Sequence, residues 1–141
     1  DDQLSTSSFT NGKYFREVFA VTIEESYTNE ALRTESTVFN VESGDERLLH
    51  AGIGMVTEAA EFIDALKKHT FYGKELDRTN LKEEIGDLFW YIAIACDELG
   101  VSFEEVQATN IAKLKARYPG KFNLKDAEER DLGAERKILE S

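Results

Sequence analysis

The sequence is poor in cysteine and proline and has no long hydrophobic run. Its 141 residues include one cysteine, Cys96, and one proline, Pro119. A single cysteine excludes an intrachain disulfide framework and is typical of proteins from a reducing compartment. No apolar run approaches the roughly 20 residues that a membrane-spanning helix requires, and no signal-peptide pattern is visible. We therefore expect a cytoplasmic protein that contacts no membrane.

Positive charge is scarce as well. The chain has 17 lysine and arginine residues against 28 aspartate and glutamate residues, a formal net charge of −11. Because such a protein repels a nucleic-acid backbone, we expect no nucleic acid polymer as a partner. A phosphate-bearing molecule can still bind when a divalent cation lies between the two negative groups. The length favours one domain with a single core.

From residue 43 onward, turn signals divide the chain into helices, which predicts an all-α fold. The expected helices cover about residues 45–69, from a cap at Thr79 or Asn80 to residue 99, from Ser102 to residue 118, and 125–139. Ser102 followed by Glu105 is a capping-box pattern. We predict an antiparallel, oligomeric bundle of about four to five helices over residues 27–141. Residues 1–26 are assigned to a poorly defined N-terminal extension.

The first long helix carries two carboxylates beside a row of small residues. Winding it at roughly 100° per residue gathers its large apolar side chains on one wide face, with Glu58 and Glu61 at the margin. The residues stacked with the two acids along the helix axis are Ala51, Gly54 and Ala65. These small side chains leave room for a group that is not protein. For this pair alone, a solvated helix margin is the more frequent explanation.

The next helix holds a second acidic pair in an apolar setting. It is apolar all round between Ile85 and Cys96, yet Glu84 and Asp87 lie within or beside that run, one turn apart. A buried carboxylate is costly unless it is ion-paired or bound to metal, and this run contains no lysine or arginine. Two antiparallel helices with acids at i and i+3 bring four carboxylates together, which suits magnesium or manganese. A structural salt bridge is the alternative for the second pair.

These acids lie in stretches that resemble the MazG-like all-α nucleotide pyrophosphohydrolases, in particular the compact forms carried by bacteriophages. The family motif, Glu-x-x-Glu followed on the next helix by Glu-x-x-Asp, reads Glu58-Ala-Ala-Glu61 and Glu84-Ile-Gly-Asp87 here. The resemblance runs from about residue 27 to residue 140 and includes the stretches RLLHAGIGMVTEAAEFID, KKHTFYGKELD, GDLFWYIA, NIAKLKARYPGKF and RDLGAERKILE.

The resemblance implies an enzyme that hydrolyses (deoxy)nucleoside triphosphates to the monophosphate and pyrophosphate with magnesium or manganese. Both the catalytic residues and the metal ligands would be the four motif acids, Glu58, Glu61, Glu84 and Asp87. Some relatives carry a further glutamate, the proposed general base, immediately before the first motif acid. This chain has Thr57 there, so the identity of the base stays open.

Candidate substrate-binding residues are cations and hydrogen-bonding side chains near the acids. Lys68 lies two turns after the first acidic pair on nearly the same face, and Tyr91 lies one turn after the second pair. The resemblance adds Asn110 and Lys113 as nucleotide contacts. Tyr91 also fits a core position with a satisfied hydroxyl, and Lys113 fits a solvated charge near a helix C-terminus.

A homo-oligomer is expected from the second long helix. Trp90 and Ile94 project from the side of this helix that faces away from its main apolar arc. Burial of that side predicts a helix from another subunit, and the resembling family commonly forms dimers or tetramers.

Other functions fit parts of the pattern. Within the same family, phosphoribosyl-ATP hydrolysis is the alternative reaction. A di-iron bundle needs Glu-x-x-His on two helices, whereas this chain has only His50 and His69 and neither ends an acidic motif. A non-enzymatic helical interaction module would carry the acids for solubility and predicts no stabilisation by metal. No motif specifies the base or the sugar.

Overall fold

A computed structural model describes residues 27–40 and 44–141. Every regular element in these two ranges is a helix, which confirms the all-α prediction. The predicted extension over residues 1–26 lies outside the described residues. The chain divides into two compact units, Asp1–Glu98 and Leu99–Ser141, and each is described by itself.

The helices of the described ranges are numbered α1 to α6 in chain order. They are α1 (residues 27–32), α2 (Glu46–Tyr72), α3 (Arg78–Leu99), α4 (Phe103–Arg117), α5 (Leu124–Glu128) and α6 (Leu132–Leu139). None of these helices combines the length and the apolar character that crossing a membrane requires.

The structure corrects the predicted start of α3 and the extent of the last predicted helix, and it confirms the predicted start of α4. Asp77, not Thr79 or Asn80, caps α3, because its Oδ1 accepts hydrogen bonds from the backbone N–H groups of Thr79 at 2.9 Å and Asn80 at 3.1 Å. The helix predicted over residues 125–139 is two helices, since the Asp131 carboxylate accepts from the backbone N–H of Ala134 and so begins a new one. The capping box that Ser102 forms at the start of α4 is present as predicted.

Helices α2 and α3 lie antiparallel, as the sequence predicts. Near the start of α2, Arg47 forms ion pairs with Asp97 at 2.9 Å and Glu98 at 2.7 Å, near the end of α3. Further along α2, Gly54 lies against Tyr91, which precedes those two acids in α3. Residue numbers therefore rise along one helix as they fall along the other, and the acidic motifs of the two helices come to the same level.

Helix α1 and the turn after it cover one side of α3. The Trp90 indole N–H donates to the Ala31 carbonyl at 3.1 Å and to the Thr34 hydroxyl at 2.8 Å. Ile94, one turn further, is fully buried, and Tyr27 donates to the Gly86 carbonyl at 3.3 Å. The side of α3 that was expected to need another subunit is thus covered within the chain, so this reason for an oligomer is wrong.

The apolar face of α2 is only partly covered. Ile53, Val56 and Ile63 have exposed fractions of 57%, 69% and 61%. A shallow depression of about 350 Å³ lies on this face, lined by Leu48, Leu49, Gly52, Ile53, Val56 and Thr57. The expected wide apolar face exists, but the described residues leave much of it in contact with solvent.

In the second unit, α4 packs against α6, and a buried ion-pair cluster ties the helices together. The buried Glu135 carboxylate pairs with Arg117 at 2.6 Å and with Arg130 at 2.7 Å. Hydrogen bonds from Arg117 and then Arg130 lower the pKa of Glu135 to about 2. This glutamate is a structural element of the unit.

Candidate metal and nucleotide site

Three of the four motif acids converge between α2 and α3. One carboxylate oxygen each from Glu58, Glu84 and Asp87 can be chosen so that all three lie within 4.8 Å of one another. The antiparallel pairing brings Glu58 of α2 to the level of Glu84 and Asp87, which lie on one side of α3 because they are three residues apart. In the ranges that the structure describes, no ion pair joins these acids or Glu61 to a lysine, arginine or histidine. The salt-bridge alternative for the second acidic pair finds no partner there.

Glu61, the fourth acid, is outside this trio but adjacent to it. It is exposed, and its negative charge contributes to raising the pKa of Glu84. Glu61 and Glu84 also line one cavity of about 200 Å³, together with Lys68, Lys74 and Asn80 among others. The position of Glu61 suits a group at the rim of the site.

Glu84 is the buried member of the cluster, with an exposed fraction of 3%. Burial, above all, raises its pKa, and the charges of Glu61, Glu58 and Asp87 add to that rise, while a hydrogen bond from Asn80 opposes it. Asp87 is exposed, although its helix was expected to leave it little solvent. Glu84 therefore has the greater need of a cationic partner.

Thr57 occupies the position at which some relatives have the extra glutamate. Its hydroxyl lies 2.9 Å from the Gly54 carbonyl and 3.1 Å from Oε1 of Glu58, with one proton to share between the two acceptors. A threonine hydroxyl does not take up a proton near neutral pH. Thr57 is accordingly a hydrogen-bond donor beside Glu58 and cannot serve as a base in place of the extra glutamate.

The Tyr91 side chain reaches the edge of the acidic cluster. Its ring makes edge contacts with the rings of His50 at 5.4 Å and Trp90 at 4.9 Å between centroids. Burial raises the pKa of Tyr91, and the charges of Glu58 and Asp87 raise it further. Its hydroxyl is therefore protonated at neutral pH and can donate a hydrogen bond beside the cluster.

His50 stands behind Tyr91, surrounded by rings. Edge contacts join it to Phe39 and Trp90, each at 6.0 Å between centroids. Its Nδ1 atom is buried and has no hydrogen-bond partner within the described ranges. This arrangement makes His50 a support for the Tyr91 ring.

The predicted substrate-binding lysine lies at the cavity beside the trio. Lys68 forms an ion pair with Asp64 at 2.6 Å, and Lys67 pairs with the same carboxylate. Asp64 thus holds Lys68 near Glu61 and Glu84 on the cavity wall. Asn110 and Lys113 lie on α4 in the second unit, and their contact with a nucleotide stays a prediction.

Two residues near the acids are not among the site residues predicted from the sequence. Asn80 donates a hydrogen bond to Glu84 Oε1, and the spacing of four residues within a helix is a signal that could have found it. Tyr27 lies close enough to Asp87 for that charge to help raise its pKa, after burial. No local pattern predicts the second contact, because the two residues are far apart in the chain.

The donor set fits a hard divalent cation. All three converging ligands are carboxylates, which magnesium and manganese prefer. Oxygens bound to one magnesium ion lie at most about 4.2 Å apart, so small side-chain adjustments would bring the trio into range. The buried Glu84, with its raised pKa, is a charge that such an ion would neutralise.

Fold and site together define an all-helical protein with a carboxylate cluster between two antiparallel helices. The MazG nucleotide pyrophosphohydrolase domain matches residues 49–122. The chain therefore belongs to the MazG family. It is 32% identical over 76 residues to the Gene 37 protein of Mycobacterium phage L5, an alignment that covers 51% of this chain and 67% of the phage protein. No solved structure matches it significantly.

Proposed function

We propose that the protein hydrolyses (deoxy)nucleoside triphosphates to the monophosphate and pyrophosphate with the help of magnesium or manganese. The observation that carries this proposal is the trio of Glu58, Glu84 and Asp87, whose oxygens approach within 4.8 Å in a domain of the MazG family. A divalent cation at this position would relieve the repulsion among the three carboxylates, and it would also offset the negative charge of a bound polyphosphate.

Glu58, Glu84 and Asp87 would hold the ion, with Glu61 at the rim. A divalent cation there would neutralise phosphate oxygens and lower the pKa of a bound water. The chain's own contribution is to fix these carboxylates between two rigid helices. Preorganised charge of this kind supplies much of the catalysis in phosphoryl transfer.

The proposed reaction is an in-line attack of water on the α-phosphorus. The new bond joins the water oxygen to that phosphorus, the bond to the α–β bridging oxygen breaks, and pyrophosphate leaves with the bonding electrons. One water proton goes to a motif carboxylate and then to solvent. We assign this role to Glu61, because it is exposed and adjacent to the trio.

The remaining contacts position the substrate. The Tyr91 hydroxyl is a donor beside Glu58 and Asp87, suited to the sugar or to a phosphate oxygen. Lys68 offers positive charge at the neighbouring cavity, and Asn110 and Lys113 complete the predicted set.

The direct test is a substrate screen with magnesium in which pyrophosphate and inorganic phosphate are both measured. Natural and modified (deoxy)nucleoside triphosphates and phosphoribosyl-ATP form the panel, and excess chelator is the control. We expect equimolar monophosphate and pyrophosphate from at least one nucleoside triphosphate. Turnover of phosphoribosyl-ATP alone would favour the alternative reaction. Inactivity toward the whole panel, without any stabilisation by metal, would favour a helical interaction module.

A further inference from the structure

We propose that Asn80 is a positioning residue that holds the Glu84 carboxylate in the orientation in which it binds the divalent cation. This role rests on the proposed function, since it presupposes a metal at the carboxylate trio. Asn80 belongs to none of the acidic motifs and lies one helical turn before Glu84.

Two hydrogen bonds position Asn80, one from its backbone and one from its side chain. Its backbone N–H donates to Oδ1 of Asp77 at 3.1 Å, which anchors the residue in the first turn of α3. Its side-chain Nδ2 donates to Oε1 of Glu84 at 2.5 Å. Asn80 is only partly exposed and lines the cavity that also borders Glu61 and Glu84. One carboxylate oxygen of Glu84 thus accepts a hydrogen bond from a fixed donor, which restricts how the carboxylate can turn toward an ion.

An amide suits this position better than a cation would. Glu84 has an exposed fraction of 3%, and its carboxylate lies within 4.8 Å of oxygens of Glu58 and Asp87. A lysine in place of Asn80 would neutralise Glu84 and compete with the metal. The amide of Asn80 instead orients the carboxylate and partly offsets its burial without adding charge. Partners of this kind fix ligand geometry around many protein-bound metals.

A role in helix capping does not account for the Asn80 side chain. The carboxylate of Asp77 already accepts the backbone N–H groups of Thr79 and Asn80 at the start of α3. Loss of the Asn80 amide would therefore leave the cap in place. Its described hydrogen bond is to Glu84, so the effect of its removal should appear at the metal site.

The experiment is a titration of the full chain with Mn²⁺, in which electron paramagnetic resonance measures the free ion. Asn80→Ala should weaken Mn²⁺ binding by about 10- to 100-fold, the usual effect of removing such a partner. The matched control, Thr79→Ala, changes an exposed neighbour in the same helical turn and should bind Mn²⁺ as the wild type does. Asn80→Gln, which keeps an amide donor, should bind more tightly than Asn80→Ala.

Turnover provides a second readout. Excess Mn²⁺ should restore most of the kcat of Asn80→Ala, because the variant retains all four acids. Asn80→Leu should reproduce the loss of Mn²⁺ affinity, and because leucine is similar to asparagine in size, this variant replaces Asn80→Ala if the alanine variant folds poorly. Two results would overturn the role of Asn80 without affecting the proposed metal site. One is wild-type Mn²⁺ affinity in Asn80→Ala or Asn80→Leu, and the other is a kcat of Asn80→Ala that saturating Mn²⁺ does not restore. Failure of the wild type to bind Mn²⁺ would overturn the proposed metal site and this role with it.

Discussion

The ring of Tyr91 lies directly on the backbone of Gly54. A Cβ atom at Gly54 would stand 2.1 Å from the nearest ring carbon, far inside van der Waals contact. Because Tyr91 extends toward Glu58 and Asp87, the absence of a side chain at Gly54 allows an aromatic residue to reach the acidic cluster between the two helices.

Gly54→Ala should therefore displace Tyr91, with a destabilisation of about 1–3 kcal/mol from overpacking and a loss of activity. Gly52→Ala is the matched control on the same helix, because no atom of the described residues lies within 4 Å of a Cβ there. It should stabilise the protein by about 0.5–1 kcal/mol, since alanine is the better helix former. Urea unfolding of both variants measures the difference. Equal stability of the two would contradict the observed contact.

Divalent metal should raise the melting temperature of the wild type. An ion that binds only the folded state stabilises it by mass action, and here it would also relieve the repulsion among Glu58, Glu84 and Asp87. Thermal melts in millimolar magnesium, millimolar manganese and excess chelator provide the measurement. Glu84→Gln should lose most of the effect, whereas Glu83→Gln, at an exposed residue outside the trio, should keep it. Identical melts with metal and with chelator would count against the proposed site.

Removal of one charge from the trio should reduce turnover without reducing the stability of the metal-free protein. Asp87→Asn and Glu84→Gln should each reduce pyrophosphate release by at least roughly a hundredfold, because each removes a ligand of the metal that supports the transition state. Without metal, both variants should be no less stable than the wild type, since one repelling charge has gone. Turnover and chelator-treated unfolding are measured on the same preparations. Near-normal turnover in a destabilised variant would instead indicate a structural ion pair.

The sequence predicts this site because its signals are local. The spacing of three residues between Glu84 and Asp87 places both on one side of their helix, and the turn before that helix allows it to pair antiparallel with the helix of Glu58. The contact of Trp90 with Ala31 depends instead on a chain segment about sixty positions away, and the periodicity of the helix does not predict such a contact. Helical periodicity likewise identifies the apolar face of α2 without specifying how much of it the chain itself covers.

The sequence does not identify which residue caps α3. Asp77, Thr79 and Asn80 are all residue types that cap helices, so the sequence alone does not rank them. In the structure Asp77 fills this role, which leaves the Asn80 side chain to reach Glu84. Similarly, the sequence does not distinguish Glu135 from a solvated charge on a surface helix. Its role is visible only in the structure, where Arg117 of α4 donates a hydrogen bond to it.

Glu135 should make the stability of the protein depend on acidic pH. Its pKa is about 2 in the folded state against 4.5 for an ordinary glutamate. The carboxylate thus contributes stability that is fully present above pH 4.5 and is lost as the pH falls toward 2. Glu135→Gln should be less stable than the wild type at pH 7, and this difference should shrink between pH 4.5 and 2. Urea unfolding across that pH range measures the stability difference, and Glu129→Gln, at an exposed residue, is the control. A stability difference that does not change with pH would exclude the ion pair as its cause.

The exposed face of α2 should mediate the predicted homo-oligomer. With Trp90 covered by α1, the apolar side chains that remain in contact with solvent include Ile53 and Val56, at exposed fractions of 57% and 69%, and exposed apolar surface of this kind marks interaction sites. Ile53→Glu would place a charge in such an interface and should reduce the mass measured by light scattering to that of the monomer. Phe122→Glu, at a residue exposed to a similar extent in the second unit, should leave the mass unchanged. A wild type that is monomeric at micromolar concentration, or an Ile53→Glu variant of unchanged mass, would exclude this face as the interface.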